Sequence, residues 1–319
     1  MPLTTTRHMK RWLIACLFII VCPCVFAADS EQKTLTLSDG DRPLMVYNAA
    51  HVPSPLADAP WYGRSGFIHP VMTPKGNVVT EAFPEDHMHQ HGLMFAWTSA
   101  QYEGKKVDFW NSHKKQARIE HVETLHADGD RIAVKLKHTI TGDRDKPLTV
   151  LHETWTLTRV PHDTMNVFDL VSVQTNITDK PLTIRKYKYG GMCIRGAAEW
   201  KIKYHMLTSE GHDTAAGNHT RPNWVAMFGT VNDAPAGIAA MSHPDNDQAP
   251  QPVRLHPEKP YFCFAPMIAD TFQITNEKPY TSRYRFAAFD GKPNAKQLDA
   301  LMKEFSATNA QADDVAKNE

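Results

Sequence analysis

"RIAVKLKHTITGDRDKPLTVLHETWTLT", residues 131–158, carries two runs of alternating character on either side of a turn. Ile132, Val134, Leu136 and Ile140 interleave with Ala133, Lys135, Lys137 and Thr139, and Leu151, Trp155 and Leu157 interleave with His152, Thr154, Thr156 and Thr158. Successive side chains of a strand point to opposite faces, so this period of two predicts half-buried antiparallel strands joined across Thr141-Gly142-Asp143. The pattern recurs outward from there. Val167, Val171 and Val173 share a face, and Tyr284, Phe286 and Ala288 alternate with Arg283, Arg285 and Ala287. Asp128-Gly129-Asp130, Val160 to Asp163, Asn176 to Pro181 and Asp290-Gly291 supply further turns. No alternation of strands with helical segments appears, so the predicted class is mainly β: a large antiparallel β-sandwich. One helix is predicted near the end. After Pro293 and Asn294, the residues Leu298, Leu301, Met302 and Phe305 form a stripe at helical spacing.

The N-terminus has a separate character. Arg7, Lys10 and Arg11 precede the apolar run Trp12 to Val21, and Val25-Phe26-Ala27 fits a cleavage site. Residues 1–27 are therefore expected to be a signal peptide, the mature chain to be exported to the periplasm or beyond, and no membrane span to remain. An uncleaved anchor is the alternative, and Leu13-Ile14-Ala15-Cys16 resembles a lipobox. The expected organisation is one domain over 28–305 and a polar tail over 306–319. Removing Arg7, Lys10 and Arg11 from the 35 basic residues leaves 32 against 35 acidic ones, so no electrostatic footprint for nucleic acid exists. Cys16, Cys22 and Cys24 leave with the signal; Cys193 and Cys263 remain, as a disulfide or as two buried thiols. The sequence contains no Gly-x-Ser-x-Gly, no phosphate-binding loop, no dinucleotide fingerprint and no His-Glu-x-x-His.

"EDHMHQHGLM", Glu85 to Met94, holds the densest chemistry, with His87, His89 and His91 at every second position after Asp86. An extended segment puts the three imidazoles on one face. At about 3.3 Å per residue the outer two then lie roughly 13 Å apart. A metal–imidazole bond is only about 2.1 Å long, so at most a neighbouring pair shares one ion. Metal binding, acid–base chemistry and a polar seam all remain open. Asp86 can orient one of the rings or close a turn. Glu153 lies on an apolar face with Leu151, Trp155 and Leu157, where a carboxylate must be paired, ligating or protonated. Arg185, Lys186, Tyr187 and Lys188 suit an anionic or hydroxyl-rich ligand or form a solvated face. His243, Asp245 and Asn246 follow an apolar strand in a loop that can grip a polyol or simply form an Asx turn. Trp110, in Asp108-Phe109-Trp110-Asn111, offers an aromatic platform, as Trp61 and Tyr62 also do. The loops 49–86 and 242–260, rich in Pro, are the expected carriers of function.

"GFIHPVMTPKGNVVTEAFPEDHMHQHGLMFAW", Gly66 to Trp97, resembles the hallmark block of a bacterial secreted family labelled PmoA-like or "methane oxygenase". "VDFWN" (Val107 to Asn111) and "GIAAMSHPDN" (Gly237 to Asn246) resemble its later motifs. The resemblance implies functional positions at His69, Asp86, His87, His89, Trp110, His243, Asp245 and Asn246. Gln90 stands where the family has a second His, and His91 where it has a basic residue; a basic residue there that binds an anion would make the site depend on pH in this chain. The family is largely of unknown function. Its label evokes an integral membrane subunit, whereas this chain lacks comparable apolar spans.

Three functions are compatible with these residues. The first is a carbohydrate-active enzyme on a sandwich like the supersandwich of sugar mutarotases. There His87 and His89 form the acid–base pair, Asp86 orients one of them, and Glu153 or Asp245 is a second carboxylate. Arg185, His243 and Asn246 hold hydroxyls, with His69, His91 and Asp245 as further binding candidates and Trp110 stacking on the ring. The second is a metalloprotein or oxygenase holding a divalent metal through His87 and His89 with His243 or Glu153. The third is a non-catalytic polysaccharide-binding module.

Overall fold

The alternation around residue 131 becomes four consecutive antiparallel strands, Ala117–Ala127, Arg131–Ile140, Leu148–Val160 and Met165–Asn176. The structure, a computed structural model, describes residues 1–3, 33–142 and 144–308. Most of the expected signal segment, and the expected tail beyond Thr308, lie outside those residues. Within Leu148–Val160 the side chains of Leu151, Glu153, Trp155 and Leu157 are buried while His152, Thr154 and Thr156 are partly open, as the period of two predicts. The sheet continues through Tyr280–Asp290, Ala234–Ser242, Trp224–Val231 and Tyr204–Thr208 to make eight strands.

A second, seven-stranded sheet runs in the order Thr34–Asp39, Arg42–Asn48, Phe67–Val71, Leu93–Ala96, Gly191–Arg195, Tyr261–Phe264 and Val253–Leu255. The two sheets pack through one apolar core. Tyr47 of the smaller sheet sits edge-on to Trp155 of the larger one, with ring centroids 6.1 Å apart, and Phe264 meets Tyr284 at 5.7 Å. Each such side chain contributes about 1.5–3 kcal/mol by leaving water. A third sheet of four short strands completes a mainly β, antiparallel sandwich. The described residues from 33 onward belong to one compact unit, Gln32–Glu319. Among the described residues no helix is long and apolar enough to cross a membrane.

The outer face of the eight-stranded sheet is covered by the predicted C-terminal helix, Ala295–Ser306. Leu298, Leu301, Met302 and Phe305 pack onto Trp224, Met241 and Phe289 of the sheet. Asn294 caps the helix by accepting from the Gln297 N–H at 3.3 Å. Asn294→Ala is expected to lower the unfolding free energy by about 1 kcal/mol, readable as a shifted denaturant midpoint at unchanged slope. Cys193 and Cys263 stand directly opposite each other on neighbouring strands, as buried free thiols.

Candidate functional site

The stretch that carries the three histidines is not extended. Phe83 N–H donates to the Gln90 carbonyl at 3.0 Å and Gly92 N–H to the Glu81 carbonyl at 2.8 Å, so the chain folds back on itself as a short hairpin. Its tip holds two successive turns, closed by His87 N–H to Pro84 O at 3.0 Å and Gln90 N–H to His87 O at 2.8 Å. Pro84 favours the first turn by its fixed φ. Gly92 closes the hairpin at φ +54°, where an added Cβ would lie 2.1 Å from the Ile68 carbonyl oxygen, so glycine is required there. These turns, and not a pleat, separate the histidines. His87 and His89 are raised at the tip, with ring centroids 5.6 Å apart. His91 passes beneath it, 2 % exposed, donating from Nε2 to the Tyr62 carbonyl at 3.1 Å and packed edge-on against Phe83.

One buried arginine holds the hairpin from below. Arg195, with no exposed surface, ends the strand Gly191–Arg195. Its guanidinium reaches Glu81 at 3.1 Å, Asp86 at 3.0 Å and the Gln90 side-chain oxygen at 3.3 Å, which ties the base and the tip of the hairpin to one group. Lys259 adds a contact to Asp86 at 3.3 Å. Partial burial works to raise the Asp86 carboxyl, but Arg195 and then Lys259 outweigh it and hold the group below the usual carboxylate range. Asp86 Oδ2 in turn stands 3.6 Å from His87 Nδ1, an ion-pair distance longer than a hydrogen bond.

The tip faces a cleft of about 500 Å³. His113, on the short turn Ser112–Lys114, brings its ring to 5.8 Å from that of His89. His256 comes from the opposite side, 5.9 Å from His87 and 4.7 Å from the buried Tyr261. Four imidazoles therefore form a row, His256–His87–His89–His113, with Tyr261 also 5.5 Å from His87. Burial pushes His89 down to about 3 and His256 to about 4, and it lowers His87 with Asp86 opposing. At neutral pH these three rings are uncharged and able to accept a proton or a hydrogen bond. Burial pushes the Tyr261 phenol far upward, with Tyr189 reinforcing the shift, so it remains protonated and able to donate. Trp110, Tyr62, Tyr187 and Tyr189 supply aromatic walls. Trp110 is fixed by its loop, in which Asp108 accepts from the N–H groups of Trp110 and Asn111 at 3.0 and 2.8 Å.

A family model described as a family of unknown function, DUF6807, matches residues 34–303. The chain belongs to that family. The match describes that family only as one of unknown function and does not show the methane-oxygenase labelling. No curated protein matches this DUF6807 member. Among solved structures it bears a distant likeness to heparan sulfate lyase HepC from Pedobacter heparinus, at 10% identity and a TM-score of 0.37 over 78% of this chain and 33% of that one. It thus spans about a third of that lyase's length. A galactose mutarotase related enzyme from Lactobacillus acidophilus is similarly distant, at 8% identity and a TM-score of 0.31 over 81% of this chain and 97% of that one.

Of the residues expected to be functional, Asp86, His87, His89 and Trp110 line the cleft of this DUF6807 member, as do the candidate aromatics Tyr62 and Tyr187. The others lie elsewhere. Glu153 has no exposed surface and sits in the core, bonded to His138, Trp155, Ser172 and Gln174. His69 contacts Thr80 at 3.0 Å, and Arg185 is exposed and bonds Gln101 at 3.1 Å. The His243-Pro244-Asp245-Asn246 loop fastens the sandwich to the C-terminal helix. His243 Nε2 donates to the Phe305 carbonyl at 3.1 Å, its Nδ1 accepts from Asp245 N–H, and Asn246 brackets the backbone of Arg283. The ligand set His87, His89 and His243 therefore does not converge. Among the described residues no three His, Cys, Asp or Glu side chains are arranged to hold one ion. Sequence reasoning missed His113, His256, Tyr189, Tyr261 and Arg195. His256 stands within the 242–260 loop expected to carry function, and that position was the available signal.

Proposed function

We propose that this DUF6807 member is an exported enzyme that transfers protons on a sugar or glycoside bound in the cleft. The observation that carries the reading is the meeting of uncharged His87 and His89 with the protonated Tyr261 in one aromatic-walled cleft. Epimerisation, elimination and hydrolysis all need one group that takes a proton and one that gives it. His87 is the proton acceptor, because Asp86, 3.6 Å from its Nδ1, stabilises the imidazolium that forms. Arg195 and Lys259 keep that carboxylate charged. Tyr261 is the donor. His89, too deeply buried to hold a charge, orients a hydroxyl through a ring nitrogen. Trp110 and the tyrosines accept the apolar faces of a pyranose.

The test is a panel of neutral and acidic mono- and oligosaccharides incubated with wild type and with His89→Ala. Turnover of at least one sugar by the wild type, reduced in the variant, is expected. No turnover, or equal turnover by both proteins, would remove the enzyme reading. Binding without turnover that survives His87→Ala would point instead to a carbohydrate-binding module. The export reading is checked by expressing the full chain and sequencing the N-terminus of the exported protein, expected at Ala28.

A further inference from the structure

Tyr189 belongs to two environments at once. It lines the cleft, and it also meets a pair of cations. Arg254, 9 % exposed, places its guanidinium 4.9 Å from the Tyr189 ring centroid and donates from Nη2 to the phenol oxygen at 2.9 Å. Its Nη1 donates to the Leu255 carbonyl at 2.9 Å, and its Nε has no partner. The Lys188 ammonium stands 5.8 Å from the same ring and is exposed. Two other buried arginines meet carboxylates: Arg195 meets Glu81 and Asp86, and Arg285 meets Asp169 at 2.7 Å, whereas Arg64 donates to the Met94 sulfur and the Phe95 carbonyl. Among the described residues no carboxylate pairs with Arg254 or Lys188. A nearly buried guanidinium without a counter-ion is costly, and that cost is relieved when an anion arrives. The surrounding imidazoles feel the same field: His219 and His256 are held low by burial first and then by Arg254.

Two cations without a carboxylate partner among the described residues thus flank Tyr189, a tyrosine of the cleft wall. We infer that the sugar taken by this cleft carries an anionic group, a carboxylate or a sulfate ester, which docks against Lys188 and Arg254 beside Tyr189. The inference rests on the sugar reading above and narrows it to acidic glycans. Such a group lies at the Tyr189 end, next to His256, so the sugar is oriented with its neutral hydroxyls toward His89.

The experiment is an NMR titration of the histidine rings at fixed ionic strength, with sodium glucuronate, its uncharged methyl ester, sodium sulfate and a panel of neutral sugars. Saturable shifts of His219 and His256 are expected with glucuronate, with sulfate, or with both. The two arms tell a carboxylate site from a sulfate-ester site. The methyl ester is expected to bind at least about fivefold more weakly than the acid. Lys188→Ala and Arg254→Met should remove that advantage without weakening the ester. Lys188 is exposed, so its variant keeps the test open should Arg254→Met fail to fold. Equal binding of acid and ester, unchanged binding by Lys188→Ala, or no saturable shift with either anion would overturn the inference. If neutral sugars still move His87 and His89 in that event, the sugar reading stands without it. If no sugar of either charge moves them, both fall.

Discussion

Glu153→Ala is expected to lower the unfolding free energy by about 3–5 kcal/mol, several times the loss expected for Asn294→Ala. The carboxylate has no exposed surface and satisfies four donors at once: His138 at 2.7 Å, Trp155 at 2.6 Å, Ser172 at 2.6 Å and Gln174 at 3.0 Å. Gln174 in turn accepts from Trp97 at 2.7 Å, so the group is the centre of a polar network spanning the two sheets. Removing it leaves those donors desolvated and unpaired, which costs more than the carboxylate's own contacts contribute. Glu153→Gln also destabilises, because its amide N–H₂ points a donor at other donors. Burial alone would raise this carboxyl, but the hydrogen bond from His138, followed by Ser172 and Trp155, holds it below the ordinary value. A depressed carboxyl contributes stability above its unfolded value of about 4.3, and that stability is lost as pH falls through the folded value. Denaturant midpoints measured from pH 7 down to pH 3 check the sign. The wild type should lose stability on acidification, and Glu153→Ala should lose less of it.

His87→Ala is expected to cost about 10²–10⁴-fold in kcat on whichever sugar the panel identifies, with a much smaller change in KM. The direction of the pH profile separates this role from a merely structural one. Burial lowers the His87 ring, Arg195 and Lys259 lower it further, and Asp86 opposes them. Activity that needs the neutral ring therefore has an acid limb below the ordinary histidine value of about 6.5. Asp86→Asn removes the opposing charge and moves the limb to lower pH. Lys259→Ala removes a repelling cation and moves it to higher pH. A limb unmoved by both variants would take His87 out of the proton-transfer role.

The strands were legible because each has one face against the core, and burial of alternate residues is written into the alternation of apolar and polar types. Leu151, Trp155 and Leu157 made the inward face of their strand readable, and Glu153 stood out on it as a charge that needed an explanation. Its partners were less visible. His138 lies one strand away, and Ser172 and Gln174 on another, so only the register of the sheet joins them. The histidine stretch misled for a related reason. Spacing by two is equally compatible with a pleat and with two consecutive turns, and Pro84 and Gly92 decide between them. His113 and His256 are isolated residues, far from the hairpin in sequence. Arg195 closes an apolar strand whose composition gives no hint of the carboxylates it will meet.

That last contact has a kinetic consequence. Arg195 and Asp86 are separated by 109 positions, and the cleft also needs Tyr62 at one extreme and Tyr261 at the other. Pairings of such sequence separation form late, after many loops have closed. A chain still emerging from the ribosome has the histidines of the hairpin but neither the guanidinium that fixes them nor the tyrosine that faces them. The assembled cleft is thereby confined to the finished molecule, and an incomplete translation product carries the histidines without the arginine and tyrosine that surround them.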